Sequence, residues 1–303
     1  MQLDKTRIAI RERSLLDTFD LALHVLRAYF RPLLVMFLLA VIPLMVLNDL
    51  LIGWMLDVEY REAFFYTEEA GAIWRYWWDM SLLVAIEAPL ASIFMTSYLG
   101  QVVFVDRPRY RQVIRDVLKM MPRIAFCQLL VRAILPTWLI LLLIERHEDF
   151  NPGLEILALG GLALYALFIR SIRPFINEIV LLERNPLTSR NPHTITVARR
   201  SSQLHNPSGG DLFARWLATA AFGILLTWAV AGTFEFCYGL LFNDWAPGPA
   251  MLRYMYPLSI WLVAGYLSVV RFLCYLDLRI RHEGWEVELR LRAEAARQAA
   301  KLT

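Results

Sequence analysis

Charged residues are scarce in this chain of 303 residues: they make up 19% of it, whereas hydrophobic residues make up 58%. The mean hydropathy of +0.45 excludes an ordinary soluble domain and is typical of a membrane protein. The net charge of +3 is small, so its distribution along the chain is more informative than its sum. We predict no nucleic-acid partner.

Cysteine is equally scarce, since the chain contains only Cys127, Cys237 and Cys274. All three lie in or beside apolar runs and have no paired spacing. We therefore expect buried reduced thiols rather than disulfides or a metal site. The first thirty residues are charged and lack the short apolar core of a cleavable signal peptide, so we expect none.

Catalytic motifs are also missing. The sequence has no Walker-type phosphate loop, dinucleotide-binding glycine pattern, His-Glu-x-x-His zinc pair or Gly-x-Ser-x-Gly nucleophile elbow. Its five histidines are scattered. His147 and His282 each have an adjacent acid, but adjacent residues on a helix point apart and form no dyad. We expect no enzyme, no catalytic or metal-binding residue and no cofactor.

The chain has six apolar runs instead, each long enough to cross a bilayer core of about 30 Å as a helix. They are residues 32–55, 80–105, 124–144, 154–182, 212–242 and 254–276. The predicted fold is an all-α integral membrane protein, a bundle of six transmembrane helices with amphipathic cytoplasmic helices. The predicted organisation is a cytoplasmic N-terminal segment (1–31), a six-span domain (32–276) and a cytoplasmic helical tail (277–303).

The distribution of Lys and Arg predicts the orientation of these spans. Of the 31 basic residues, 23 lie in the two terminal segments and two alternate connections when Arg215, at the start of the fifth run, is counted with the connection before it. Only four lie in the other three connections. Positively charged connections stay on the cytoplasmic side during insertion. Both termini are therefore predicted to be cytoplasmic.

The basic segments have helical patterns of their own. Ser14, followed three residues later by Asp17, is typical of a helix start, and an apolar stripe at spacings of three and four follows it. A second apolar stripe lies opposite Arg111, Arg115 and Lys119. Basic amphipathic helices attract anionic lipid, although they also serve simply to anchor spans. The order of basic helix, span and return span occurs three times, which predicts three helix-hairpin repeats.

Charged residues also lie inside the predicted spans, where an ionised side chain costs at least about 2.5–3.5 kcal/mol and usually has a partner. The candidates for a structural or functional role are Glu87, Arg132, Arg170, Arg173, Glu178, Glu235 and Arg271. Arg132 and Glu235 are closest to mid-membrane by residue count, so we expect Arg132 to pair with Glu235 or Glu87. Such a pair either fixes helix register or lines a path for an ion or polar solute.

Two stretches resemble a known family. One is Pro174-Phe-Ile-Asn-Glu-Ile-Val-Leu-Leu-Glu183, which leads to Ala198-Arg-Arg-Ser-Ser-Gln-Leu204, and the other is Tyr275-Leu-Asp-Leu-Arg-Ile-Arg-His-Glu-Gly-Trp-Glu286. Together they resemble bacterial six-span proteins related to the membrane domain of glycerophosphoryl diester phosphodiesterase. The resemblance implies a six-span helical bundle in a bacterial inner membrane. It does not imply hydrolysis, because the active site of that enzyme belongs to a separate soluble domain.

The same stretches predict a cytoplasmic ion-pair lock, in which the end of the last span docks against the segment that carries Arg199 and Arg200. The docking residues are Asp277, Arg279, Arg281 and Glu283. The alternative is a solvated rim of charges at the membrane surface.

The sequence thus favours a non-enzymatic inner-membrane protein, a scaffold or accessory component that engages anionic lipid through its basic cytoplasmic face. Its expected partners are membrane lipids and a membrane protein or a second copy of the chain. Two alternatives stay open: a small transporter or channel with an intramembrane charged site, and a lipid-processing membrane enzyme.

Overall fold

The computed structural model describes residues 14–59, 70–103, 108–145, 152–191, 193–243, 245 and 251–283. Within these ranges the chain is helical and no residue belongs to a β-strand. The α-helices are α1 Leu15–Ala28, α2 Phe30–Ile52, α3 Trp54–Glu59, α4 Ala70–Ala91, α5 Ile93–Val102, α6 Tyr110–Ala125, α7 Ile134–Glu145, α8 Pro152–Ile172, α9 Ile176–Glu178, α10 Val197–His205, α11 Gly209–Phe242 and α12 Tyr256–Glu283. Short π-helical turns cover Phe126–Leu130, Ile179–Glu183 and Met251–Met255, and a 3₁₀ turn covers Asn206–Ser208.

Five helical stretches are long and apolar enough to cross a membrane, and a sixth is added if one bent pair counts as a single span. The five are Phe30–Ile52, Trp74–Val102, Gly153–Ile172, Val197–Phe242 and Met251–His282. The bent pair is Tyr110–Leu130 with Ile134–Ile144, which meet at 57°. The all-helical fold is therefore confirmed for the described residues, whereas the membrane location, the exact count of six spans and the threefold repeat stay predictions.

Besides the change from α4 to α5 just after Pro89, two of the six apolar runs have breaks that were not predicted from the sequence. The run 124–144 breaks between Leu130 and Ile134, where Ala133 has a φ of 61°. The run 154–182 stops as a regular helix at Ile172, one residue before Arg173-Pro174. A residue that precedes proline is disfavoured in the α region, so Pro174 explains the second break.

The predicted helix start at Ser14 is confirmed. The Ser14 side chain accepts from the Asp17 backbone N–H, and the Asp17 carboxylate accepts in turn from the Ser14 backbone N–H. Helix α1 then lies beside the apolar middle of its neighbours. Its Phe19 ring stacks on Phe222 of α11 at 4.6 Å between centroids, and the Phe19 carbonyl accepts from the Tyr266 hydroxyl of α12.

Helix α12 lies at the centre of the assembly and packs against α1, α4 and α11. Its Trp261, which is 1% exposed, meets the edge of the Phe37 ring of α2. Gly265 permits this approach, because a Cβ there would lie 3.0 Å from the same ring. Helix α11, by contrast, leaves most of its apolar side chains exposed, as a helix that borders lipid does.

The three cysteines are free, as expected, but only Cys127 is buried. Cys237 is exposed on α11, because that helix buries few of its residues. The predicted helical tail is described as far as Glu283, the last residue of α12. Residues 284–303 of that tail lie outside the described part of the chain.

Candidate functional site

Three helices are interrupted close to one another. Helix α4 contains Pro89 and gives way to α5 at Ser92, the third apolar run breaks before Ile134, and α8 ends just before Pro174. The Asn177 side-chain amide donates to the Pro89 carbonyl at 2.6 Å, so the first and third breaks are in direct contact. Broken helices inside an apolar environment expose backbone groups that must be bonded by other means.

Side chains from one break satisfy backbone groups of another. Pro89 has no N–H to offer the Ala85 carbonyl one turn earlier. Arg170 of α8 replaces it, with its Nη1 donating to the Ala85 oxygen at 2.5 Å. Arg132 likewise donates from Nη2 to the Arg173 carbonyl at 2.8 Å, at the point where α8 has ended. Two of the predicted intramembrane arginines, Arg170 and Arg132, thus bond to backbone oxygens that the helices leave unpaired.

Two buried amides join the second and third breaks. The Gln128 Nε2 donates to the Asn177 Oδ1, and both residues are at most 2% exposed. Gln128 lies in the π-helical turn Phe126–Leu130, just before the break at Arg132. A polar side chain of this kind is an expected means of joining helices in an apolar environment.

One ion pair lies at the centre of these breaks. The Arg271 Nε of α12 donates to the Glu178 Oε1 at 2.9 Å, and its Nη2 donates to the Ser92 hydroxyl at 2.8 Å. Glu178 is fully buried, so Arg271 supplies the charge that its carboxylate needs. We call the polar side chains around the three breaks the break cluster; its members are Ser92, Gln128, Arg132, Asn177, Glu178 and Arg271.

The expected pairing of Arg132 with Glu87 or Glu235 is wrong. The Glu87 carboxylate instead accepts from the Asn48 amide at 2.9 Å and from the Trp138 indole at 2.6 Å. These neutral donors stabilise it in place of a cation. Glu235 is exposed on α11, seven residues before the helix ends, and so does not reach the buried guanidinium of Arg132.

Glu183 forms a second polar centre, toward the end of the fold that carries α10. Its carboxylate accepts two hydrogen bonds from Arg200, at 2.6 and 3.1 Å, and one from the Tyr275 hydroxyl at 2.8 Å. The Arg279 Nε lies 3.8 Å from the same carboxylate. We call Glu183, Arg200, Tyr275 and Arg279 the Glu183 hub. It joins the two stretches on which the family resemblance depends.

The remaining motif residues form a neighbouring network. The buried Asp277 carboxylate accepts from Arg215 at 3.2 Å and from Arg281 at 2.9 Å. Both arginines also contact Asp211, at 3.0 Å for Arg215 and 3.4 Å for Arg281. These pairs connect the start of α11 to the end of α12.

The predicted cytoplasmic lock therefore has different partners from those expected. The segment carrying Arg200 does meet α12, but through the shared acid Glu183 rather than through Asp277. Arg199 is the first-turn residue whose backbone N–H is capped by the Thr196 hydroxyl. Glu283 ends α12, and its side chain is outside the described part of the structure.

Helix α6 places its basic residues outward. Val113 and Val117 are fully buried against the rest of the protein. Arg111, Arg115 and Lys119 are all exposed, and their spacing of four puts them on one side of the helix. Arg123, near the end of α6, donates to the carbonyls of residues 184 and 185, so the helix is fixed beside the Glu183 hub.

A second set of ion pairs lies at the opposite end of the helices. Arg75 of α4 donates twice to Glu155 of α8, at 3.0 and 2.5 Å. Arg253 similarly donates to both carboxylate oxygens of Asp49, at 2.7 and 3.1 Å. These bidentate pairs join distant parts of the chain and need no ligand to explain them.

Three residues of the break cluster were not predicted as site residues from the sequence. Gln128, Asn177 and Ser92 carry no charge, so a search for ionised groups in apolar runs passes over them. A buried amide in such a run is nevertheless a signal, because it requires a hydrogen-bond partner there. Across the described residues, no group of three or more His, Cys, Asp or Glu side chains is arranged to hold a metal ion.

The fold and its polar centres define a class: a protein that is helical throughout its described residues, with five or six membrane-length helices, one buried charged centre and one partly buried charged centre. In comparisons with known proteins, no family model, curated protein or solved structure matches the chain.

Proposed function

We propose that this chain is a multi-pass protein of a bacterial inner membrane, with both termini on the cytoplasmic side. The number of membrane-length helices supports the multi-pass arrangement. The alternation of basic and non-basic connections supports the orientation. In this orientation, α6, α10 and the Glu183 hub face the cytoplasm.

Its proposed role is that of a non-enzymatic scaffold or accessory protein that engages anionic lipid through α6. The observation that carries this proposal is the exposure of Arg111, Arg115 and Lys119 on a helix whose Val113 and Val117 are buried. The apolar side holds the helix to the protein, which leaves the cations free to meet lipid headgroups. A basic residue near an anionic membrane surface contributes about 1 kcal/mol to binding.

Neutralising the three cations tests this role. The triple substitution Arg111→Gln, Arg115→Gln and Lys119→Gln is expected to remove about 3 kcal/mol of attraction to anionic lipid. The preference for anionic over neutral lipid should fall roughly one hundredfold. The measurement is the retention of phosphatidylglycerol over phosphatidylcholine by the purified full chain, read by native mass spectrometry. The variant Arg111→Lys with Arg115→Lys keeps the charge and is the matched control. Equal retention by the neutral variant and the wild type would exclude the role.

A small transporter or channel is the second candidate function, and the break cluster favours it. Discontinuous helices near a polar centre are typical of the substrate sites of transporters. Uptake of labelled ions or polar solutes into proteoliposomes tests it. Wild-type transport that is lost in Arg271→Met or Gln128→Leu would support the transporter over the scaffold. Proteoliposomes that take up no class of solute would count against it.

A further inference from the structure

Arg132 has hydrogen-bonding capacity that the protein does not use. Its side chain is only 2% exposed. Nη2 donates to the Arg173 carbonyl, but Nε and Nη1 have no hydrogen-bond partner in the described structure. A buried donor without a partner costs about 1–3 kcal/mol, and more when the group is charged. An acceptor bound at these two nitrogens would remove that cost.

The charges around Arg132 are predominantly positive. Arg170 and Arg271 both lie within electrostatic range of it. Glu178 is the carboxylate within range of this group, and Arg271 already binds it at 2.9 Å. Three guanidinium groups and one carboxylate thus lie within electrostatic range of one another in a buried location. Such an arrangement favours an additional negative charge.

The backbone beside Arg132 contributes in the same direction. Helix α7 begins at Ile134, two residues after Arg132, and continues for 12 residues. The first amides of a helix lack intrahelical acceptors, and the helix dipole gives that end a partial positive charge. Pro136 has no N–H and the Thr137 N–H is bonded to the Ala133 carbonyl, so the first turn offers at most the Ile134 and Leu135 amides, together with the positive end of the dipole. Amides and positive potential at a helix start are the chemistry that binds phosphate groups.

The surface next to Arg132 is apolar and exposed. Leu130 and Val131, which precede it, are 54% and 37% exposed. Ile172, which precedes its carbonyl partner Arg173, is 46% exposed. The buried Nε and Nη1 of Arg132 thus lie close to apolar surface, and an anionic group carried on an apolar molecule reaches them when these exposed side chains move aside.

We propose that the unpaired Nε and Nη1 donors of Arg132 bind a phosphate-type oxyanion at the break before α7. Arg170 and Arg271 strengthen the site through their charge, while their own hydrogen bonds remain with Ala85 and with Glu178 and Ser92. The site uses none of the α6 residues on which the proposed lipid engagement depends. It would stand even if α6 served only as an anchor.

Two binding measurements on the purified full chain test the site. The first is thermal unfolding in an uncharged detergent with increasing inorganic phosphate. The second is native mass spectrometry of the chain released from nanodiscs that contain phosphatidylglycerol. Wild type is expected to bind one oxyanion at this site, and Arg132→Gln is expected to weaken that binding at least tenfold. Arg253→Gln is the matched control, because the Arg253 donors are bonded to Asp49, and it should bind like wild type.

The two measurements distinguish a soluble phosphate from a lipid headgroup as the bound oxyanion. Saturable stabilisation by inorganic phosphate would support a soluble ligand, whereas retention of phosphatidylglycerol without a response to phosphate would support a lipid headgroup. If Arg132→Gln does not fold, Arg132→Lys keeps the charge but changes the donor geometry and is expected to weaken binding measurably. The proposal is overturned if wild type responds to neither ligand, or if the Arg132 variants bind as tightly as wild type.

Discussion

The ion pair between Arg271 and Glu178 gives the sharpest test of the break cluster. Replacing Arg271 with methionine leaves the Glu178 carboxylate without its cation and the Ser92 hydroxyl without its donor. Glu178 is fully buried and the Arg271 side chain is 12% exposed, so solvent screens the pair little. Breaking a buried ion pair by removing one partner typically costs about 3–5 kcal/mol. We expect Arg271→Met to lower the free energy of unfolding by an amount in that range.

A second substitution, at Glu178, should partly offset the loss of stability caused by Arg271→Met. Glu178→Gln removes the unpaired carboxylate, so the double variant lacks the buried charge that makes Arg271→Met so costly. We therefore expect the two costs to be non-additive, with a coupling energy of about 1–3 kcal/mol. The assay is unfolding in mixed detergent micelles with increasing sodium dodecyl sulfate, followed by tryptophan fluorescence.

The matched control for this cycle is Arg253→Met. Arg253 also binds a carboxylate through two nitrogens, but its side chain is 28% exposed and that of Asp49 is 41% exposed. Exposed pairs contribute about 1 kcal/mol or less, so this variant should be nearly as stable as wild type. Costs for Arg271→Met and Glu178→Gln that add to within about 0.5 kcal/mol would refute the reasoning, as would equal effects at Arg271 and Arg253.

Two further variants test the packing around Glu183 and between α2 and α12. Glu183→Gln should weaken the attachment of α10 and speed hydrogen exchange of the α10 amides about tenfold, equivalent to about 1.4 kcal/mol. The amides of α2 should stay protected. Unchanged exchange in α10 would show that the Glu183 hub does not hold this helix. Gly265→Ala would place a Cβ 3.0 Å from the Phe37 ring, which also packs against Trp261, and should cost about 1–3 kcal/mol of stability in the same micelle assay. Gly160→Ala, which meets nothing within 4 Å, should cost nothing, and equal effects at the two glycines would contradict the packing described.

The apolar runs were predictable because membrane-length helices depend on a simple property. About 20 consecutive apolar residues suffice, and neighbouring parts of the chain do not alter that requirement. The cap at Ser14 was predictable for the same reason, since its partner Asp17 is only three residues away. Local signals of this kind need no knowledge of tertiary contacts.

The positions of the helix breaks cannot be inferred from the length of an apolar run. Pro136 occupies the first turn of α7, where proline is tolerated, and Pro174 follows the end of α8. Both prolines are compatible with the breaks, but neither led to a prediction of one. The positive φ of Ala133 was not predictable, because a left-handed conformation is expected of glycine rather than alanine.

The partners of buried charges were the least predictable feature. Arg132 and Glu87 lie in neighbouring apolar runs, yet one bonds to a carbonyl and the other to an amide and an indole. The chain offers many acceptors besides carboxylates, and only tertiary packing selects among them. Glu183 belongs to one of the two stretches that resemble a known family. Its carboxylate nevertheless binds residues that are far apart in the sequence.

The membrane arrangement underlies every functional proposal, and cysteine accessibility tests it directly. In a chain with Cys127, Cys237 and Cys274 replaced by alanine, a single cysteine is introduced at Lys119 or at Trp245 and labelled with an impermeant maleimide. In sealed vesicles of known orientation, we predict labelling of position 119 only from the cytoplasmic side and of position 245 only from the opposite side. Labelling of both positions from the same side would contradict the arrangement.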